Sequence, residues 1–136
     1  MLLVLDVSVV ASWHFPDEFN AESNAILEML RGRKHNAHVP GIWWFEIHNV
    51  LLRGERRGRS SVQQTAQFQD LLDELPIIIR PYATPNVILG LARLHHLTFY
   101  DAAYLELAQR EAIPLATLDQ ALARAATAEG VPLIGA

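Results

Sequence analysis

A chain of 136 residues, 51% hydrophobic and with no cysteine, fits one domain that can bury a core without disulfides. The missing thiols exclude disulfide frameworks, thiol catalysis and thiolate metal sites, and the lack of any run near ~20 apolar residues or of a basic-flanked leader predicts a soluble, cytoplasmic protein with no membrane span. The formal charge of −4 is unevenly spread, because Arg31, Arg33, Lys34, Arg53, Arg56, Arg57 and Arg59 crowd into one stretch of an otherwise acidic chain. A phosphate-binding flank and a pair of solvated helix ends are both open readings of that cluster.

The first five residues are continuously apolar and stop at Asp6, the pattern of a strand covered on both faces and ended by a carboxylate. Residues 7–13 alternate small and apolar side chains, predicting a short buried helix that breaks at His14-Phe15-Pro16-Asp17. Asn20 or Asp17 can cap a second helix, with Ala25, Ile26, Leu27, Met29 and Leu30 as its apolar stripe and Gly32 as its end. His38 to Gly41 reads as a brief strand and its exit turn.

The spacing of Trp43, Ile47, Val50 and Leu51 predicts a helix over 42–57. On its other side Glu46, Asn49, Arg53 and Arg57 form a polar stripe that starts acidic and ends basic. Ser60 or Ser61 then restarts a helix to about residue 74, with Val62, Ala66, Leu71, Leu72 and Leu75 as its apolar content. The β-branched run 76–81 lies between prolines and predicts a buried strand. Thr84 and Pro85 open a helix through Val87, Leu91 and Leu94 to His95 and His96. Another begins near Asp101, with Ala102, Leu105 and Ala108 facing the core. Residues 113–117 give a fourth strand, Asp119 caps a helix ending at Gly130, and 131–134 give a last short strand. This alternation predicts an α/β fold: a mainly parallel sheet of four to five strands, right-handed crossovers and helices on both faces.

Four acids stand out by position. Asp6 ends the first strand, Asp119 follows the fourth, and Asp101 opens the helix before it, so a parallel sheet places all three on one edge. Each Asp alone reads first as a helix cap. Glu46 does not, because it lies mid-helix between Phe45 and Ile47, where an unpaired carboxylate is costly. Converging carboxylates repel unless they are protonated or neutralised by a cation, and an oxygen-only donor set selects Mg2+ or Mn2+ over zinc. Such an ion can activate a water and stabilise the oxyanions of a phosphodiester undergoing displacement. The basic end of the Glu46 stripe would then hold flanking phosphates, which supply affinity without sequence information.

At Leu5-Asp6-Val7-Ser8-Val9, at 45–51 (Phe-Glu-Ile-His-Asn-Val-Leu), at Tyr100-Asp101-Ala102-Ala103-Tyr104 and at Thr117-Leu118-Asp119 with its Gly130-Val131 ending, the chain resembles the PIN-domain ribonucleases, most closely the VapC-like toxins of type II toxin–antitoxin pairs. The resemblance runs through the whole chain in order. It implies a three-layer α/β/α sandwich and a Mg2+- or Mn2+-dependent endoribonuclease whose acids are Asp6, Glu46, Asp101 and Asp119. It implies metal ligation by Asp6, Asp101 and Asp119, with Glu46 as a further ligand or the group that orients the attacking water. Ser8, Asn49 and Thr117 match polar positions around the family's site, and Arg53, Arg56 and Arg57 would contact RNA phosphates. It also implies a homodimer and a cognate antitoxin whose tail enters the active-site groove. Some relatives carry a further acid shortly after the position of Asp119; Ala121 and Leu122 stand there here, which leaves one or two ions open.

Other classes fit less well. A receiver-like phospho-acceptor module needs a lysine near its acids, and Lys34 is the only lysine. A haloacid-dehalogenase-like phosphatase needs an acid where Ser8 stands. A PIN-like RNA- or protein-binding module without catalysis, its acids serving as caps, remains the principal alternative. His35, His38, His95 and His96 have no ligand spacing, and Gly32, Gly41, Gly54 and Gly58 make no nucleotide-binding loop. Trp43, Trp44 and Phe45 are open to base stacking and to core or dimer contact.

Overall fold

The computed structural model describes residues 1–134. Its framework is a parallel sheet of β1 (Leu2–Leu5), β2 (Asn36–Pro40), β3 (Ile77–Arg80) and β4 (Leu115–Ala116), in the order β3-β2-β1-β4. Val4 stands opposite both His38 and Leu115, so β1 is paired along both edges. Successive side chains of a strand point to opposite faces. Leu3, Val4 and Leu5 are all fully buried, so both faces of β1 are covered, as its continuous apolar run predicts.

Between β1 and β2 come α1 (Val7–His14), a 3-10 turn at Pro16–Glu18 and α2 (Ala21–Arg31). Helices α3 (Ile42–Arg56) and α4 (Val62–Glu74) lead from β2 to β3, and α5 (Pro85–His95) and α6 (Phe99–Glu111) lead back across the sheet to β4. Helix α7 (Gln120–Ala128) follows. The steps β1→β2→β3 run one way and β3→β4 the other, so right-handed crossovers set α1–α4 on one face and α5 and α6 on the opposite one. The result is the three-layer α/β/α sandwich. Among the described residues no helix is long and apolar enough to cross a membrane.

Local chemistry explains the helix starts. Asn20 rather than Asp17 caps α2, accepting from the Ser23 amide at 2.9 Å, and Ser61 forms a reciprocal capping box with Gln64 on α4. Thr84 makes no side-chain cap bond, and Pro85 alone pre-sets the first turn of α5. Gly54 is where α3 meets the end of α1: a Cβ there would lie 2.6 Å from the buried ring of Phe15.

The structure departs from the predicted pattern in four places. β3 is an outer edge strand rather than a buried one, with Ile78 and Ile79 43% and 49% exposed. On α4 only Phe68 is buried, while Val62 and Ala66 face solvent. On α5 the core face is Ile88 and Leu91, with Val87 and Leu94 exposed. Instead of a fifth strand over 131–134 there is a single parallel bridge from Leu133 to Leu115, because Pro132 has no amide to extend a ladder.

Candidate active site

The carboxyl edge of the sheet brings the acids together. Asp6 leaves β1 in extended geometry and directly precedes α1, yet it makes no side-chain capping bond to that helix. Its carboxylate turns instead toward β4. Oδ2 accepts from the Ser8 hydroxyl at 2.6 Å and from the Thr117 hydroxyl at 2.7 Å. Ser8 in turn accepts from the Leu118 amide at 2.9 Å, and Thr117 from the Asp119 amide at 3.0 Å, so the exit from β4 is pinned to Asp6. The other oxygen, Oδ1, is buried and has no partner. A buried, orphaned carboxylate oxygen is the kind of group native structures otherwise satisfy.

Asp101 sits in the first turn of α6, but Thr98 is the cap, accepting from the Asp101 amide at 3.0 Å. That frees the Asp101 side chain for the site. Asp119 does cap α7, accepting from the Leu122 amide at 2.9 Å through Oδ1, and it is exposed. The capping explanation therefore fits Asp119, fails for Asp6 and leaves Asp101 unaccounted for.

Glu46 reaches the group from α3, and its Oε1 accepts from the Tyr104 hydroxyl at 2.7 Å. This bond joins the two helical layers over the strand ends. Tyr104 is fully buried on α6, three residues after Asp101 and so on the same helical face. Burial first, then the carboxylates of Glu46, Asp6 and Asp101, push its phenol far up, so it remains protonated and donates. Sequence reasoning assigned Tyr104 no role; its three-residue offset from Asp101 is the signal that would have found it.

The acids act on one another electrostatically. Burial raises the carboxyl of Asp6, its two hydroxyl partners partly offset that, and Asp101 raises it again. Glu46 is raised by burial, lowered by its bond to Tyr104 and raised by Asp6 and Asp101. Asp101 is raised by burial and then by Asp119. Asp6, Glu46 and Asp101 thus repel one another, and Asp119 acts on Asp101. Among the described residues no three acidic or histidine side chains are gathered tightly enough to ligate one ion as they stand.

Asn49 is exposed one turn beyond Glu46 and, among the described residues, donates no side-chain hydrogen bond to the acids. Arg53, Arg56 and Arg57 are exposed on the last turns of α3 and at its end. At 1.5 Å per residue, Arg53 lies about 10 Å and Arg57 about 16 Å along the helix axis from Glu46. They lie along the helix away from the acid cluster and do not join it, and Arg53 and Arg57 line a hollow with Phe15 and Glu18. Arg59 is committed elsewhere, paired with Asp17 and Glu18 and stacked 3.9 Å from the centre of the Phe15 ring. Trp43 belongs to the core, whereas Trp44 and Phe45 are exposed. His38 pairs with Glu111, and His95 bonds Glu129 at 2.7 Å, so both are structural.

Comparison with known proteins adds independent observations. The family model described as PIN domain matches residues 3–128. The chain is 29% identical over 126 residues to ribonuclease VapC3 of Pyrobaculum aerophilum, covering 90% of this chain and 93% of that one. The crystal structure of PAE2754 from the same organism superposes with a TM-score of 0.66 at 22% identity, over 92% of this chain and 87% of the other. VapBC2 from Rickettsia felis, solved bound to a DNA fragment from its promoter, gives 0.66 at 14% identity over 98% and 97% of the two chains. A toxin–antitoxin complex from Klebsiella pneumoniae gives 0.58 at 18% identity, over 86% of each chain. These superpositions show the fold.

Proposed function

The chain belongs to the PIN domain family, and from that premise we propose that it is a metal-dependent endoribonuclease, hydrolysing RNA phosphodiester bonds as the toxin of a toxin–antitoxin pair. The observation that carries the chemistry is Asp6, a buried carboxylate with one oxygen fixed by two hydroxyls and the other partnerless, facing other acids that raise one another. A hard divalent cation, Mg2+ or Mn2+, fits this oxygen-only set, since it supplies the missing partner and cancels the repulsion. Asp6, Asp101 and Asp119 would hold it. When bound it would acidify water and stabilise charge on the phosphodiester.

The remaining work falls to the chain's own groups. Ser8 and Thr117 fix the rotamer of Asp6 by holding Oδ2, leaving Oδ1 without a protein partner. Glu46, oriented by Tyr104 and with its carboxyl raised by burial, is suited to accept a proton from an attacking water. Arg53, Arg56 and Arg57 would hold phosphates on one side of the scissile bond. A protein antitoxin is the partner this reading requires, and the toxin–antitoxin assemblies among the structural relatives support it. A homodimer and a cytoplasmic setting accompany the same reading.

The test is cleavage of RNA in Mg2+ or Mn2+, with and without EDTA. The parent should cleave only with the metal, and Asp6→Asn or Asp101→Asn should lose at least a hundredfold in rate, the scale on which a metal site or a proton-transfer group contributes. Cleavage by Asp6→Asn at the parental rate, or by the parent in EDTA, would refute the proposal.

A further inference from the structure

Between the helices that carry Glu46 and Asp101 lies a hollow that the reaction above does not use. It has a volume of about 240 Å³ and is enclosed by the turn into α3, the exit from β3 and one side of α6. Phe45 and Tyr100 line it, and they are the chain neighbours of Glu46 and Asp101. Tyr82 stands at the mouth, 90% exposed, with its ring over Gly41, where an added Cβ would be 3.5 Å from the ring edge. The inner wall is charged. Glu106 lines the hollow while only 4% exposed, and Arg110 holds it, donating from Nε to Oε1 at 2.6 Å and from Nη2 to the Pro81 carbonyl at 3.1 Å.

A carboxylate offers about four acceptor positions, and Arg110 Nε occupies only part of that capacity. Aromatic faces at the mouth and an acceptor pair at the end suit a planar ligand with hydrogen-bond donors on its edge. Single-stranded RNA supplies such ligands, because unstacked bases are recognised by aromatic stacking and by hydrogen bonds to their pairing edge. Among the four bases, guanine alone presents two adjacent N–H donors on that edge, a ring N–H beside an exocyclic amine, which match a carboxylate's two oxygens. A protein partner would instead have to seat against a concave wall ending in a buried charge.

We propose that this hollow is a base-recognition subsite of the same enzyme, taking an unpaired guanine next to the scissile phosphate. The base stacks among Tyr82, Tyr100 and Phe45 and donates to Glu106. The proposal rests on the ribonuclease reading, and it is tested by a measurement that needs no cleavage.

The full chain is titrated in EDTA with short single-stranded oligoribonucleotides that differ at one position, G, A, C, U or inosine, followed by fluorescence anisotropy. Guanine should bind on the order of tenfold more tightly than A, C or U, with inosine, which lacks the amine, in between. Tyr82→Ala, at an exposed position that the fold does not depend on, should weaken every base several-fold. Glu106→Gln should erase the guanine preference. Equal binding of all five oligonucleotides by the parent overturns the subsite, as does unchanged binding by Tyr82→Ala, which stays decisive if Glu106→Gln fails to fold. Sequence-indifferent cleavage in Mn2+ would remove the subsite and leave the ribonuclease standing, whereas guanine-selective binding without cleavage would do the reverse. Should Tyr82→Ala dissociate a parental dimer in sedimentation while leaving RNA binding unchanged, the hollow is a protein interface and the proposal fails.

Discussion

Replacing Tyr104 with Phe removes one oxygen and preserves the ring that α6 buries against the core. The lost atom is the donor that reaches Glu46 at 2.7 Å from the opposite helical layer. A hydrogen bond to a charged acceptor contributes roughly 1.5–3 kcal/mol, and because Glu46 is only half-buried and water can reach it, the lower end applies, about 1.5 kcal/mol. For a chain of this length an unfolding entropy of ~2.1 cal/mol/K per residue converts that to a fall in Tm of about 5 °C. Function should change in a direction that stability alone would not produce. The bond favours the ionised form of Glu46, so losing it raises that carboxyl further, and the acidic limb of the cleavage-rate profile should move to higher pH. The assays are thermal unfolding in EDTA and cleavage of one RNA from pH 5 to 8. A variant with lower Tm and an unmoved acidic limb would show that Glu46 titrates without reference to Tyr104, and an unmoved Tm would show that the bond does not tie the layers.

Three further outcomes follow from the same geometry. Because the fold raises the carboxyls of Asp6, Glu46 and Asp101, the folded chain retains protons that the unfolded chain releases near pH 4, so stability without divalent cation should decline as pH rises above that value through the raised range. His14, lowered by burial, adds stability as pH rises through about 6.5, so the comparison of the parent with Asp6→Asn isolates the acid contribution: the variant should decline less, and Mn2+ should stabilise it less; parallel curves would contradict this. Gly54→Ala should lower stability by roughly 1–3 kcal/mol despite alanine's better helix propensity, since the new Cβ meets Phe15 at 2.6 Å, and a Tm at or above the parent's would mean that the ring moves freely. Arg53→Ala with Arg57→Ala should flatten the salt dependence of single-stranded RNA binding by about 1.4 in log–log slope, and an unchanged slope would place the RNA elsewhere.

The order of strands and helices was legible because β1 is a continuous apolar run, α2 and α3 carry helical periodicity, and Asn20, Ser61 and Asp119 mark helix starts, and the acids were legible as positions in that order. The surfaces were not. Ile78 and Ile79 form a β-branched run whether or not a neighbouring strand covers them, and only the strand order makes β3 an edge. Val62, Val87 and Leu94 show the same one-way logic, since an apolar side chain in a helix is not evidence of burial. Within the site, sequence position marked Asp6 as a cap when taken alone and as a ligand only when set beside the other acids. Deciding between them needed the side-chain direction, which long-range hydroxyls at Thr117 and Ser8 impose. Tyr104 was hidden because its partner lies 58 residues away on the opposite layer.

The edge strand has a consequence for solubility. An open strand edge is a template on which another chain can add, and the exposed isoleucines of β3 would make such addition adhesive. β3 is only four residues long, however, with Pro76 and Pro81 immediately at its two ends. Pro81 has no amide to offer the open edge and the Ile77 amide already donates to the Leu75 carbonyl at 2.8 Å, so an incoming strand finds a ladder of about 13 Å with few donors to bond. Segments that stack into fibres need six or seven residues without proline. The short ladder and its missing donors work against such addition although this margin of the sheet is apolar, and replacing Pro81 with a residue that can hydrogen-bond should lower the concentration at which the chain precipitates.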